Sequence, residues 1–317
     1  MRITERKPPL AARAALSLLL FILSLLPWRL RRRLAPPLGR LMLALRPRRR
    51  HIIETNLRYC FPGLGEEERR RLLHAYAERL ACTLLDFGWL WRSRRTQLAA
   101  RVRIEGSEHV DAALRRGRPV MLLVPHTVAL EHAGLALAAR YPMIALAREG
   151  RGTLGGWALR RLRGRFCDCV LERGDPLLKV VRALKSGRVL YYLPDEDHGR
   201  RRRAVFVPYF GRKVCTVLGS GRLVALTRAQ VLPCLATLDP ATGSYRVSIE
   251  APLRDLPYDD PVAICARLRA ELERLIRRSP GDYLWNQRMF QTLEGGSRNP
   301  DYSLRRAREA RMRGMAT

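Results

Sequence analysis

The sequence predicts an α/β protein: a central mixed, partly parallel sheet flanked by helices, with an N-terminal membrane-anchor helix. Three observations carry this expectation. Short apolar runs that suit buried strands, at residues 119–124, 141–147 and 188–193, alternate with stretches of helical spacing, the pattern that sets parallel strands side by side. Two of these runs stop at a proline followed by an ionisable residue, Pro125-His126 and Pro194-Asp195, and open α/β sheets bind ligands outside the carboxyl ends of their strands. Residues 14–28 carry no charge and show almost no polar face, unlike a helix packed at the surface of a soluble core.

Length and composition set the limits. A chain of 317 residues, 47% apolar, can bury a sizeable core, so disorder is not the expectation. The net charge of +31, mostly arginine, calls for an anionic partner such as phospholipid head groups, a phosphorylated substrate, an acidic protein or nucleic acid. The 7 cysteines are odd in number and scattered, which argues for reduced thiols on a cytosolic face and against a secreted disulfide framework.

Taken in order, the uncharged run 14–28 is shorter than the ~20 residues that span a bilayer comfortably. Arg29, Arg31, Arg32 and Arg33 come next with no small-residue cleavage site, so an uncleaved anchor is favoured over a signal peptide. The heavier positive flank lies on the C-terminal side, which puts the body in the cytoplasm. The chain thus divides into an anchor, 1–33, and a single domain, 34–317. Residues 34–45 form a second apolar patch broken by Pro36, Pro37 and Gly39, and the basic run 46–51 reads as a contact with anionic lipid. A helix over 50–62 ends at Pro62. Another starts at Glu66, with three glutamates at its dipole-favoured end, and runs to Trp91. Residues 101–118 read as strand, turn, short helix and Gly turn. The strand 119–124, a small-residue helix after Glu131 and the strand 141–147 come after it. A Gly-rich stretch (149–156) leads to a basic helix or turn (157–166), a short strand at Val170 and Leu171, a helix (176–186) and the strand 188–193. Residues 215–228 are expected to be helical, 231–237 and 245–250 to be strands, and 261–278 an amphipathic helix, before an irregular basic tail.

The chemistry concentrates at His126 and Glu131. On one continuous helix a spacing of five residues keeps two side chains apart, but with His126 in a turn and Glu131 in the first helical turn they can meet. A carboxylate on one imidazole nitrogen fixes the tautomer and raises the basicity of the other, making a general base for a hydroxyl. The bland alternative is a satisfied structural histidine. The spacing fits no zinc-protease signature, and there is no G-x-S-x-G for a serine hydrolase. The second cluster, Asp195, Glu196, Asp197 and His198, could hold a metal, orient a substrate, or be an acidic turn neutralised by Arg200 to Arg203. The third is the basic run Arg160, Arg161, Arg163 and Arg165, suited to bidentate phosphate contacts or simply a solvated face. Cys167 and Cys169 lack the second pair that a zinc site needs.

Blocks spread over nearly the whole chain carry a resemblance. They are RHIIETNLRYCFPGLGEEER (50–69), PVMLLVPHTVALEHAG (119–134), ALAREG (145–150), ALKSGRVLYYLPDEDHG (183–199) with AVFVPYFG (204–211), and YLWNQRMF (283–290). In this order they resemble the bacterial lipid A biosynthesis acyltransferases, the lauroyl and myristoyl transferases of the H-x-x-x-x-[DE] glycerolipid acyltransferase superfamily. The resemblance implies His126 as general base with Glu131 as its orienter, Asp195 as a further active-site residue and Arg163 as the basic residue ahead of it. It makes Arg148, Arg161, Arg165, Asp197 and Arg200 the candidates for substrate binding. It further implies an enzyme of the bacterial inner membrane that needs neither metal nor cofactor. Its partners would be acyl carrier protein as donor, a phosphorylated lipid A precursor as acceptor and anionic membrane lipids, with no nucleic acid. The chain departs from the family pattern at Thr127, His198, the Gly-rich 149–156 and Asn286-Gln287. The alternatives are another acceptor, such as an ornithine lipid or glycolipid, and a non-enzymatic protein that binds membrane lipid.

Overall fold

The computed structural model describes residues 8–147, 153–167, 169–172, 175–199, 204–305 and 309. Its first third is helical. Helix α1 (Leu10–Leu25) is followed by α2 (Trp28–Leu45), α3 (Pro47–Cys60), α4 (Glu66–Arg92) and α5 (Arg95–Arg101). Leu26 takes an extended conformation before Pro27, as a residue preceding proline prefers, and α1 and α2 are bent by 115° at this break. No single helix among the described residues is long and apolar enough to cross a membrane. Helix α2 runs unbroken through Pro36 and Pro37, where the sequence pattern pointed to a break, and so spans the 33/34 boundary. Two interior prolines are costly. The offset is packing on α4: Ala35 is fully buried, and Gly39 lies so close to the Ala77 backbone that a Cβ would sit 2.8 Å from it. At the start of α4, the Gly65 N–H donates to Glu68 and three glutamates face the positive end of the dipole.

Among the described residues the main sheet has seven strands. They are β1 (Val102–Glu105), β2 (Val120–Leu123), β3 (Met143–Ala147), β4 (Cys169–Glu172), β5 (Val189–Tyr192), β8 (Gln230–Leu238) and β9 (Tyr245–Ile249), in the order β1-β9-β8-β2-β5-β3-β4. Every neighbouring pair is parallel except β8 with β9. The crossovers are α6 (Ser107–Arg115), α7 (Leu130–Arg140), α8 (Leu154–Arg163), α9 (Leu177–Lys185) and α10 (Gly219–Thr227). Strand β2 lies mid-sheet and is buried on both faces, with Met121 and Leu123 in one core and Val120, Leu122 and Val124 in the other, as the alternation of side chains along a strand requires.

Residues 215–217, expected to open a helix, are strand instead. They belong to β7 (Arg212–Val217), which pairs antiparallel with β6 (Ala204–Tyr209), and α10 begins only at Gly219. The two-residue turn puts Phe210 at φ 52° and Gly211 at φ 70°, the left-handed pair that a tight hairpin demands. Phenylalanine is a poor candidate for that conformation. It is held because its N–H donates to Glu273 Oε2 at 2.5 Å and its ring packs against Tyr209, Phe61 and Trp285. Helix α11 (Pro261–Arg278) has the expected bounds, with Asp260 capping it by accepting from the Val262 and Ala263 N–H groups.

Candidate active site

Strands β2 and β5 are parallel neighbours, with Leu123 opposite Tyr192. Three residues past each lie His126 and Asp195, so adjacent strand ends bring the two together although 69 positions separate them in the chain. Asp195 is fully buried and gives both oxygens to His126. Oδ2 accepts the His126 backbone N–H at 2.8 Å, and Oδ1 lies 2.5 Å from Nδ1. With Nδ1–H donated to the carboxylate, the basic lone pair of the ring is on Nε2, and Glu196 Oε1 lies 3.8 Å from it. Burial alone would raise the Asp195 carboxyl, but the His126 ring and N–H, together with Arg269, bring it down to about 2.

The loop is clamped from the C-terminal segment. The Leu284 N–H donates to His126 O at 2.8 Å, the Val128 N–H donates to Asp282 O at 2.7 Å, and Thr127 bridges to Tyr283. Beneath Asp195 lies Arg269, 1% exposed. It donates to the Asp195 and Glu196 carbonyls (2.8 and 3.3 Å) and to Thr216 Oγ1 (3.0 Å), and its guanidinium rests on the Tyr209 ring. Sequence reasoning missed Arg269. The available signal was an arginine inside the apolar stripe of α11, between Leu268 and Leu272.

The ring partner is therefore Asp195, not Glu131 as the short spacing suggested. Glu131, in the first turn of α7, instead receives the bidentate guanidinium of Arg163 on α8, with Nε donating to Oε2 at 3.0 Å and Nη2 to Oε1. The reason is geometric: β5 delivers a carboxylate directly beside the turn, while α7 carries Glu131 over towards α8. Arg165 donates to the Leu90, Trp91 and Ser93 carbonyls, capping the end of α4, and Arg161 lies over the Trp91 ring. Asp197 accepts from the Gly199 and Thr292 N–H groups and the Thr292 hydroxyl. Arg165 and Asp197 are thus engaged within the protein, while Arg161 is exposed beside Trp91. Arg148 and Arg200 lie outside the described residues. Among the described residues no group of three His, Cys, Asp or Glu side chains is placed to hold a metal; Asp195 and Glu196 flank the His126 ring while Asp197 turns to Gly199 and Thr292.

His126 opens onto a cavity of about 640 Å³, a size typical of small-molecule sites. Leu130, Met143, Ile144, Val180 and Leu223 give it apolar walls. Its polar lining includes Glu131, Arg160, Arg163, Glu196 and Arg222. The Arg222 side chain, on α10, makes no ion pair or hydrogen bond among the described residues, and nothing in its surroundings in sequence pointed to it. A fixed imidazole base, an apolar slot and several cations suit the deprotonation of a hydroxyl beside a fatty chain.

Comparison with known proteins identifies the family. Residues 6–292 match the family described as bacterial lipid A biosynthesis acyltransferase. The chain is 30% identical over 280 residues to the lipid A biosynthesis lauroyltransferase of Escherichia coli (strain K12), covering 87% of this chain and 90% of that one. It is 29% identical to a lipid A biosynthesis acyltransferase of Haemophilus influenzae over 87% of this chain and 86% of the relative. Against the E. coli myristoyltransferase it is 27% identical, over 80% and 78%. The chain belongs to the bacterial lipid A biosynthesis acyltransferase family and is an acyltransferase.

Proposed function

We propose that this enzyme moves a fatty acyl chain from acyl carrier protein to a hydroxyl of a phosphorylated lipid A precursor, at the cytoplasmic face of the bacterial inner membrane. The observation that carries the reading is the His126 ring, held through Nδ1 by a buried ionised carboxylate at the rim of an apolar cavity. Nε2 takes the proton from the acceptor hydroxyl as its oxygen attacks the thioester carbonyl carbon. The new C–O bond forms, the tetrahedral intermediate collapses with cleavage of C–S, and the departing thiolate recovers the proton from Nε2. General-base assistance of this kind contributes roughly 10²–10⁴ in rate. Arg163, locked by Glu131, is a preorganised donor for the developing oxyanion. Arg160 and Arg222 are the cations assigned to phosphate. A net charge of +31 suits two anionic partners, a phosphorylated lipid and an acidic carrier protein.

The direct test is purified enzyme with a panel of acyl–acyl carrier protein donors and a lipid A precursor, backed by mass spectrometry of lipid A from a deletion strain. Transfer of one acyl chain in vitro, and its loss in the strain, is the expected result. An unchanged lipid A pattern together with no transfer in vitro would exclude this acceptor.

A further inference from the structure

The N-terminal hairpin presents the largest apolar exposure in the described molecule. Leu18, Leu19, Ile22 and Leu25 of α1, and Leu41 and Leu45 of α2, are each more than half exposed. We propose that α1 and α2 are seated in a single bilayer leaflet, with both ends of the hairpin on the protein's side, and that α1 does not cross the membrane. This deepens the membrane reading given above and rests on it.

Four observations converge. Helix α1 has 16 residues, about 24 Å at 1.5 Å per residue, against a hydrocarbon core of about 30 Å. It cannot lengthen at its C-terminal end, where the chain bends by 115° into α2. It is also tied to the body along its length. Near its start the Arg13 guanidinium lies 5.9 Å over the Trp157 ring of α8. Midway, Gly88 of α4 meets it so closely that a Cβ would fall 2.4 Å from Leu20 O. Near its end, Arg92 covers the Phe21 ring at 4.6 Å and donates to Ser24 Oγ. A helix bound to one globular body at its start, middle and end lies along that body and does not project from it.

The fourth observation lies just past the bend. Arg31 of α2 is buried and ion-paired with Asp86 of α4, and its Nε donates to Leu26 O at 2.7 Å. Asp86 also takes Arg101 at 3.0 Å and the Tyr245 hydroxyl at 2.9 Å. Swinging the hairpin away would strip a buried carboxylate of a partner, so the hairpin is fixed to the core. The occupant of its outer face is set by charge. Arg32, Arg33, Arg40, Arg46, Arg48 and Arg49 are exposed around the apolar surface, which suits anionic head groups around lipid tails. A second copy of this strongly basic chain would bring like charges together. The arrangement also gives an acceptor a route: α8 meets Arg13 and Trp91 through Trp157, while its Gly156, Leu159 and Arg160 line the cavity.

The test uses the full chain in inner-membrane vesicles of both orientations. Cys167 and Cys169, the cysteines that are not buried, are replaced by serine. Single cysteines are then introduced as Ile3→Cys, ahead of α1, and Arg48→Cys, after α2, and probed with a membrane-impermeant maleimide. Both sites react from the same side if the proposal holds; reaction from opposite sides overturns it. In membranes, Arg13→Cys with Trp157→Cys is expected to cross-link with a short bis-maleimide, and failure to cross-link also overturns it. Leu18→Asp with Ile22→Asp is expected to move the protein from vesicles containing anionic lipid to the soluble fraction. A variant that stays on the vesicles and changes only from dimer to monomer would make a second copy the occupant and overturn the proposal. None of these readouts depends on acyl transfer. Wild-type transfer measured in the same vesicles therefore fails or succeeds separately.

Discussion

Two histidine–aspartate pairs, their histidines six residues apart in the chain, sit in opposite surroundings. His126 rests on Asp195 at the end of β2, 13% of its side chain exposed and open to the cavity. His132, in the first turn of α7, has Nε2 3.3 Å from Asp86 Oδ2 and is wholly buried, stacked between Trp89 and Tyr245. The carboxylates differ most. Asp195 gives both oxygens to its histidine, so its charge is available to a cation forming on the ring. Asp86 is already taken by Arg31, Arg101 and Tyr245. Burial, with Arg101 adding to it, holds the His132 imidazole down to about 3, so it stays neutral. On the proposed mechanism, the same two residue types make a proton acceptor where there is access and a carboxylate given to the ring, and a packing unit where there is neither.

That contrast can be broken at either pair. The largest effect belongs to Asp195→Asn. An amide can donate to Nδ1 and turn the proton-accepting nitrogen away from the substrate, so kcat should fall by roughly 10²–10⁴. A fall under about threefold in the purified variant would detach the aspartate from the reaction. Asp86→Asn should act on stability instead. Breaking a buried ion pair costs about 3–5 kcal/mol, read as a lower denaturant midpoint, while the folded fraction keeps its turnover. Glu131→Gln should be intermediate. It loosens Arg163 without touching Nδ1, and about tenfold in kcat corresponds to about 1.4 kcal/mol. A loss as large as that from Asp195→Asn would return the orienting role to Glu131.

The most gradual effect is in pH. Because the folded His132 stays near 3 against an ordinary value of 6.5, the unfolded chain binds a proton there that the folded chain does not. Stability therefore drops as pH falls from about 6.5 towards 3, by at most about 1.4 kcal/mol per pH unit from this group. His132→Phe should flatten that part of the stability curve, measured by denaturant titration; an unchanged slope would mean that His132 takes up a proton within the fold.

Much of this was legible in the sequence, for local reasons. The apolar runs of β2 and β5, each closed by a proline, located both strand ends, and the bounds of α11 come from Pro261 and regular apolar spacing. What failed was non-local or strained. A five-residue spacing pointed to Glu131 because it is close in the chain, whereas the partner on Nδ1 arrives from the neighbouring strand. The β6–β7 hairpin hides because Phe210 takes a left-handed conformation that tertiary contacts impose. The arginine run 160–165 read as a phosphate surface or a solvated face. A helix instead points its members in different directions, to Glu131, to the end of α4, to Trp91 and to the cavity.

One measurement bears most directly on His126 as the base: acyl transfer to a lipid A precursor by purified His126→Ala, beside wild type, with the thermal unfolding of both recorded. The ring is partly exposed and packs at a rim, so the fold should survive with little change in melting temperature, while turnover falls by roughly 10²–10⁴. Transfer at the wild-type rate by the folded variant would contradict that role.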